Sequence, residues 1–223
     1  QDTRRDGRLR IVIVGNNVAG TNVAKALRDS DPDSEIAIYS DEPTPYYARP
    51  KLIDFISGAA KEGEMLFFPR EWYEKNRIEL HLGSKVERVD PAARTYTVKG
   101  ESARFDKLVL ANGASAFVPP LKGLPKRNVF ALRTLEDAKN IMAAAGKAKR
   151  VAIIGGGLLG LETARALATG FKGLDLTVLE YAEHLLMRQL DHEGATILRR
   201  WVEAGGTKVV TKAETEELLG AGV

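Results

Sequence analysis

The sequence predicts an α/β protein built from two copies of one dinucleotide-binding unit. Three observations carry that prediction. Residues 10–27 (R-I-V-I-V-G-N-N-V-A-G-T-N-V-A-K-A-L) and 150–167 (R-V-A-I-I-G-G-G-L-L-G-L-E-T-A-R-A-L) share one pattern at an offset of 140 residues. The same offset aligns Glu35-Ile36-Ala37-Ile38-Tyr39-Ser40 with Asp175-Leu176-Thr177-Val178-Leu179-Glu180. Each copy reads as apolar strand, glycine turn, helix and second strand, the order that sets a pyrophosphate on a helix N-terminus. Two such units suggest two dinucleotides in one chain, as hydride transfer from a nicotinamide to a flavin requires.

Composition narrows the classes. The chain has 223 residues, 44% of them hydrophobic, enough for two small domains. A net charge of +3 from 33 basic and 30 acidic residues gives no nucleic-acid signal, and Arg4, Arg5, Arg8 and Arg10 read as a solvated N-terminal arm over residues 1–8. No apolar run is long enough for a membrane span and no signal-peptide core follows the N-terminus, so a cytoplasmic protein without membrane contact is expected. The sequence contains no cysteine, which excludes from it a redox disulfide, a thiolate-bound zinc and a cysteine-ligated cluster. His81, His184 and His192 lack metal-binding spacing, so no metal is expected.

Along the first copy, Ile11–Val14 is an apolar run expected of a buried parallel strand, and Val18 to Leu27 continue as a helix. In the G-x-G-x-x-G fingerprint the first glycine makes the tight turn, the second admits the pyrophosphate, and the third lets helix and strand pack. Gly15 and Gly20 supply the first and third, with Ala19 before the latter, but Asn17 stands in second place. Asparagine tolerates a left-handed backbone yet keeps a side chain beside the phosphates, where it either bonds or obstructs the ligand. Ser40, Asp41 and Glu42 follow the second strand as candidates for a ribose hydroxyl, and the repeat register selects Ser40.

Thr44-Pro45-Tyr46-Tyr47-Ala48-Arg49-Pro50-Lys51-Leu52 is an extended loop with a helix expected near Lys51. Residues 64–82 read as loop, short amphipathic helix and strand, Phe67, Phe68, Trp72 and Tyr73 serving as packing. Val86, Val89, Tyr96 and Val98 alternate as in an antiparallel hairpin around Asp90-Pro91-Ala92-Ala93. Phe105 to Ala111 read as a further apolar strand.

The second copy has the complete fingerprint, Gly155, Gly157 and Gly160, with Leu158 and Leu159 opening the helix. Glu180 ends its second strand, where a carboxylate takes both ribose hydroxyls and repels a 2′-phosphate, so NADH is expected over NADPH, a preference that Arg188 softens. Glu162 reads as a helix-surface residue. Asp191-His192-Glu193 belong to a helix over about 190–203 that Gly205-Gly206 end, and Lys208-Val209-Val210 begin another strand.

Six segments, taken in order, resemble a known family: I-V-I-V-G-N-N-V-A-G, D-E-P-T-P-Y-Y-A-R-P-K-L, F-F-P-R-E-W-Y-E-K-N-R-I, F-D-K-L-V-L-A-N-G-A, N-V-F-A-L-R-T-L-E-D-A and V-A-I-I-G-G-G-L-L-G-L-E. The chain resembles the FAD- and NAD(P)H-dependent pyridine nucleotide-disulfide oxidoreductase superfamily, in its branch of NADH–rubredoxin and ferredoxin reductases and nitrite-reductase flavin domains. The resemblance implies two Rossmann-like units: an FAD-binding domain over residues 9–114 and an NAD(P)H-binding domain over 115–223. It places Arg49, Pro50 and Lys51 by the isoalloxazine, the two cations facing a reduced flavin. It sets Glu42 at the adenosine ribose, Ala111, Asn112 and Gly113 beside the FAD, and Glu162 toward the nicotinamide, pairing with Lys51. Asn112 stands where the family has threonine. Full-length relatives carry a later Gly-Asp motif and a C-terminal interface domain, so the resemblance implies a C-terminally shortened form.

Two functions follow. The first is a flavoprotein oxidoreductase passing hydride from NADH to FAD and electrons on to a protein acceptor such as rubredoxin or ferredoxin, or to a partner subunit. The second is a dinucleotide-binding subunit without turnover of its own. The sequence sets no oligomeric state.

Overall fold

In the computed structural model, residues 8–125 and 127–220 are described; the expected arm over 1–8 lies outside them apart from Arg8. They form two compact units. One holds the described residues through Ala48 with Met65–Ala114; the other holds Arg49–Glu64 and the described residues from Ser115 onward. The excursion 49–64, expected within the first half, thus packs with the second unit.

In chain order, β1 (Arg10–Val14), α1 (Val18–Ser30) and β2 (Glu35–Tyr39) come first. A single 3-10 turn over Arg49–Lys51 leads into α2 (Leu52–Ser57). Next are α3 (Arg70–Lys75), β3 (Ile78–His81), β4 (Val86–Asp90), β5 (Thr95–Val98), β6 (Glu101–Arg104) and β7 (Lys107–Leu110). Then come α4 (Leu135–Ala145), β8 (Arg150–Ile154), α5 (Leu158–Gly170), β9 (Asp175–Leu179), α6 (His192–Ala204) and β10 (Thr207–Val210). The expected helix from Val18 runs three residues past Leu27. The expected strand over 105–111 is confined to Lys107–Leu110, and β6 adds a strand that the sequence pattern does not predict.

The first unit is a parallel sheet in the order β3-β2-β1-β7. Its inner strands are buried on both faces, which is why they read as apolar runs rather than alternating ones. Ile13, Ile36, Ile38 and Ile78 pack toward Ala24 of α1 and Tyr73 of α3. Val12 packs on the other side with Tyr96 and Phe105. Those two residues belong to or adjoin the antiparallel meander β4-β5-β6, where Val89 pairs with Tyr96 as the alternation predicts. Each buried isoleucine contributes about 1.5–3 kcal/mol. Phe68 stacks on Trp72 with centroids 4.1 Å apart, Trp72 meets Tyr73 edge-on at 5.1 Å, and Phe67, though largely exposed, meets Phe68 edge-on at 5.3 Å, so all four aromatics pack. Arg28 near the end of α1 donates to the carbonyls of Asp31, Pro32, Ser34, Asn76 and Arg77, tying the α1–β2 turn to the α3–β3 turn.

The second unit has the parallel order β10-β9-β8. Ala164, Val178, Leu185 and Val209 make its core beside Leu198 and Val202 of α6. Asp191 caps α6 through its side chain at Gly194 N, 2.8 Å, instead of lying on the helix surface. α2 rests on α5 so closely that a Cβ on Gly170 would meet Ile56 O at 2.8 Å. Lys139 of α4 pairs with Glu62 at 2.9 Å on the same excursion. Among the described residues no strand pairs with the outer edge of β8, and Ile154 is 46% exposed.

Candidate functional site: two glycine turns

The repeat holds down to individual bonds. Gly15 N donates to Tyr39 O and Gly155 N to Leu179 O, each at 2.8 Å, closing the turn on the neighbouring strand. Gly15 and Gly155 have φ of +111° and +112°, a region open to glycine and strained for any other residue. A Cβ on Gly20 would lie 1.9 Å from Gly15 O, and one on Gly160 would lie 2.1 Å from Gly155 O. The third glycine therefore lets helix and strand meet in both copies.

The second fingerprint position behaves differently. Gly157 has φ −78° and ψ 179°, which any residue adopts, and a Cβ there would meet nothing within 4 Å. The protein makes no demand for glycine here, and the room over the turn fits an approaching pyrophosphate. Asn17 has φ −115° and ψ −168°. The left-handed conformation invoked for it from sequence is thus not required; it is an extended N-cap, and its side chain makes no capping hydrogen bond.

Capping separates the two motif helices from the other long ones. Thr134 caps α4 in a capping box with Asp137, and Asp191 caps α6. α1 and α5 have no side-chain cap and no acid in the first turn, which leaves their N-terminal N–H groups and the positive end of the dipole for an anion. Val18 at the mouth of α1 and Leu158 and Leu159 at the mouth of α5 are half or more exposed, offering apolar surface beside those donors.

On the first turn, Ala111 N donates to Val14 O at 2.8 Å, and Ala111 O is the atom a Cβ on Gly15 would strike, at 2.2 Å. Asn112 and Gly113 are exposed beside it, Gly113 with φ +67°. Ser40, selected by the register, is buried, and its Oγ accepts from Glu42 N at 3.2 Å. Asp41 is exposed. Glu42 accepts the Tyr47 hydroxyl at 2.5 Å, which helps to hold its carboxylate in place.

On the second turn, Glu180 accepts from Gly156 N at 2.5 Å and Ala182 N at 2.7 Å. Two backbone donors fix this carboxylate beside the turn before any ribose arrives. Arg49 donates to Arg133 O and Lys51 Nζ to Glu64 O at 3.2 Å, both within the second unit. Among the described residues no ion pair joins Lys51 to Glu162, and the Lys51 ammonium donates to the Glu64 carbonyl.

Sequence reasoning missed Asn16. It is 4% exposed, and its Oδ1 accepts from Tyr73 OH at 2.9 Å and Thr21 Oγ1 at 3.3 Å. Burial pushes the Tyr73 phenol above its ordinary range, which keeps it a donor. The only available signal was the side chain where the second copy has Gly156.

The model of the pyridine nucleotide-disulphide oxidoreductase family matches residues 9–223. The chain belongs to that family. It is 33% identical to the NAD(P)H nitrite reductase of Bacillus subtilis (strain 168), covering 96% of this chain and 27% of that protein. It is also 33% identical to the rubredoxin-NAD(+) reductase of Pseudomonas putida, covering 95% of this chain and 55% of the other. Among solved structures, NADH:rubredoxin oxidoreductase from Clostridium acetobutylicum superposes with a TM-score of 0.81 at 29% identity, over 94% of this chain and 54% of that one. The chain thus spans about a quarter to about half of these curated relatives. Among the described residues, no helix is long and apolar enough to cross a membrane.

Proposed function

We propose that the chain is the dinucleotide-handling part of an NADH-dependent flavoprotein oxidoreductase. The first turn takes FAD and the second NADH, and electrons leave for a small redox protein of the rubredoxin or ferredoxin kind or for a partner subunit. The carrying observation is the pair of uncapped, acid-free helix N-termini, one behind each glycine turn. Family membership and relatives named for NAD(P)H and rubredoxin support it. Bound together, the cofactors supply the chemistry, hydride transfer from nicotinamide to flavin.

The chain's residues bind and orient. In this reading Gly15, Asn17, Ala19 and Gly20 line the FAD pyrophosphate, with Ala111, Asn112 and Gly113 alongside. Gly155, Gly157, Leu158, Leu159 and Gly160 line the NADH pyrophosphate. Glu180 selects NADH by accepting ribose hydroxyls and repelling a 2′-phosphate. Glu42 serves the FAD ribose, Arg49 and Lys51 supply positive charge to a reduced flavin, and Glu162 orients the nicotinamide. The proposed boundaries are 9–114 for the FAD-binding and 115–223 for the NAD(P)H-binding domain.

A second reading, a dinucleotide-binding subunit that turns over only with a partner, is favoured by the outer edge of β8, with which no strand pairs among the described residues. An anaerobic visible spectrum of the FAD-loaded chain, before and after NADH, separates the two. Bleaching on NADH supports the oxidoreductase; bound flavin that stays oxidised supports the second reading. A chain that takes up no FAD refutes the first.

A further inference from the structure

We propose that Asn16 is a specificity-determining residue of the first glycine turn. Together with Ser40 it forms a coupled pair that keeps a carboxylate out of the place Glu180 holds beside the second turn. The inference rests on the reading that the first unit binds FAD.

The two turns share their backbone course, with matching φ at Gly15 and Gly155 and extended residues at Asn17 and Gly157. They are filled in opposite ways. In the second, position 156 is glycine, and a Cβ there would lie 2.6 Å from Leu185 Cδ2 and 3.0 Å from both Cβ and Oε2 of Glu180. A side chain at 156 would therefore displace Leu185 first and also press on the Glu180 carboxylate, so the two compete for room beside the turn. The first copy shows the matching exchange: Asn16 carries the side chain, and the residue in the register of Glu180 is Ser40.

Asn16 is anchored as well as bulky. Its Oδ1 holds the hydroxyls of Thr21 and Tyr73, both almost wholly buried, so rotating the carboxamide aside to admit a glutamate would break both of those bonds. The chemical consequence is a difference in reading. The second turn presents an acceptor to ribose hydroxyls through Glu180. The first offers no carboxylate at that point, so an adenosine ribose in the first unit is not selected there.

The test is a coupling measurement on FAD affinity, read by quenching of flavin fluorescence. Ser40→Glu is made in the wild-type turn and again in an Asn16→Gly/Thr21→Val/Tyr73→Phe background, which removes the side chain and both hydroxyls it satisfies. The expected result is a loss of at least about tenfold in the first setting and less than about threefold in the second. Equal losses in both settings overturn the proposal.

The reverse exchange keeps the test decisive if that background does not fold. Gly156→Asn should lower the melting temperature, and adding Glu180→Ser should recover part of the loss; failure to recover any overturns the proposal. A wild-type chain that binds NADH but no FAD brings down the reading beneath it. A chain that binds FAD without coupling sinks the proposal alone.

Discussion

Gly157 and Gly160 stand three residues apart in one turn, yet the structure assigns them different reasons for being glycine, and alanine at each should reveal it. At Gly160 a Cβ would sit 2.1 Å from Gly155 O and 3.2 Å from its carbonyl carbon, so α5 would have to retreat from β8 by roughly an ångström to reach ordinary contact. Overpacking of that kind costs about 1–3 kcal/mol, a fall of roughly 2–12 °C in melting temperature for a chain of this size. At Gly157 the conformation is ordinary and the Cβ meets nothing. Alanine there should leave the apo melting temperature unchanged or raise stability by about 0.4–1 kcal/mol, through lost freedom of the unfolded chain. The methyl group would nonetheless occupy the approach to the phosphates, weakening NADH by at least about tenfold, near 1.4 kcal/mol. The assay is a thermal melt without nucleotide beside an equilibrium NADH titration, with FAD binding as the internal control. Wild-type NADH affinity in Gly157→Ala, or an undiminished melting temperature in Gly160→Ala, would refute the assignment.

Other outcomes follow from the same geometry. Arg28→Ala removes a guanidinium bonded to five carbonyls and should lower stability by about 2–3 kcal/mol in denaturant titrations, with lysine restoring less than half because one ammonium cannot reach all five. Glu180→Ala should raise the ratio of NADPH to NADH affinity at least about tenfold in paired titrations, since the carboxylate fixed by Gly156 and Ala182 is lost. Burial raises the phenols of Tyr39 and Tyr73, the former helped by its hydrogen bond to Tyr96. Groups raised in the fold give their full stability below the unfolded tyrosine value near 10 and lose it as pH climbs toward the folded values. The melting temperature should therefore decline above about pH 10, and Tyr39→Phe should flatten that decline.

Much of the fold was legible because the repeat fixes four strands and two helices at once. β1 and β2 are apolar on both faces, so their burial could be read directly, whereas β6 (Glu-Ser-Ala-Arg) has no apolar pattern and forms only by pairing with β5. The two turns were legible where backbone dictates sequence, at Gly15, Gly20, Gly155 and Gly160. It was not where side chains from distant segments converge. Tyr73 reaches Asn16 across 57 residues, and Lys51 reaches the Glu64 carbonyl across 13. No local spacing encodes either. The seat of the 49–64 excursion on α5 depends on Gly170, which sequence alone would read as a helix end.

Gly15 and Gly155 bring the two kinds of information together. Their φ values agree within a degree, so conformation alone would make alanine equally costly at both, about 1–2 kcal/mol. Packing breaks the symmetry. β7 pairs with β1 and carries Ala111 O to 2.2 Å from a Cβ on Gly15, while the same position on Gly155 meets nothing within 4 Å. Gly15→Ala must therefore strain the backbone and also push β7 away from β1, whereas Gly155→Ala strains the backbone only. Melts of the two variants should show the larger loss at Gly15, by about 1–3 kcal/mol. Equal losses would mean that φ alone governs both turns and that the approach of Ala111 carries no energetic weight. A larger loss at Gly155 would mean that its surroundings in solution are more crowded than those of Gly15, the reverse of the packing described.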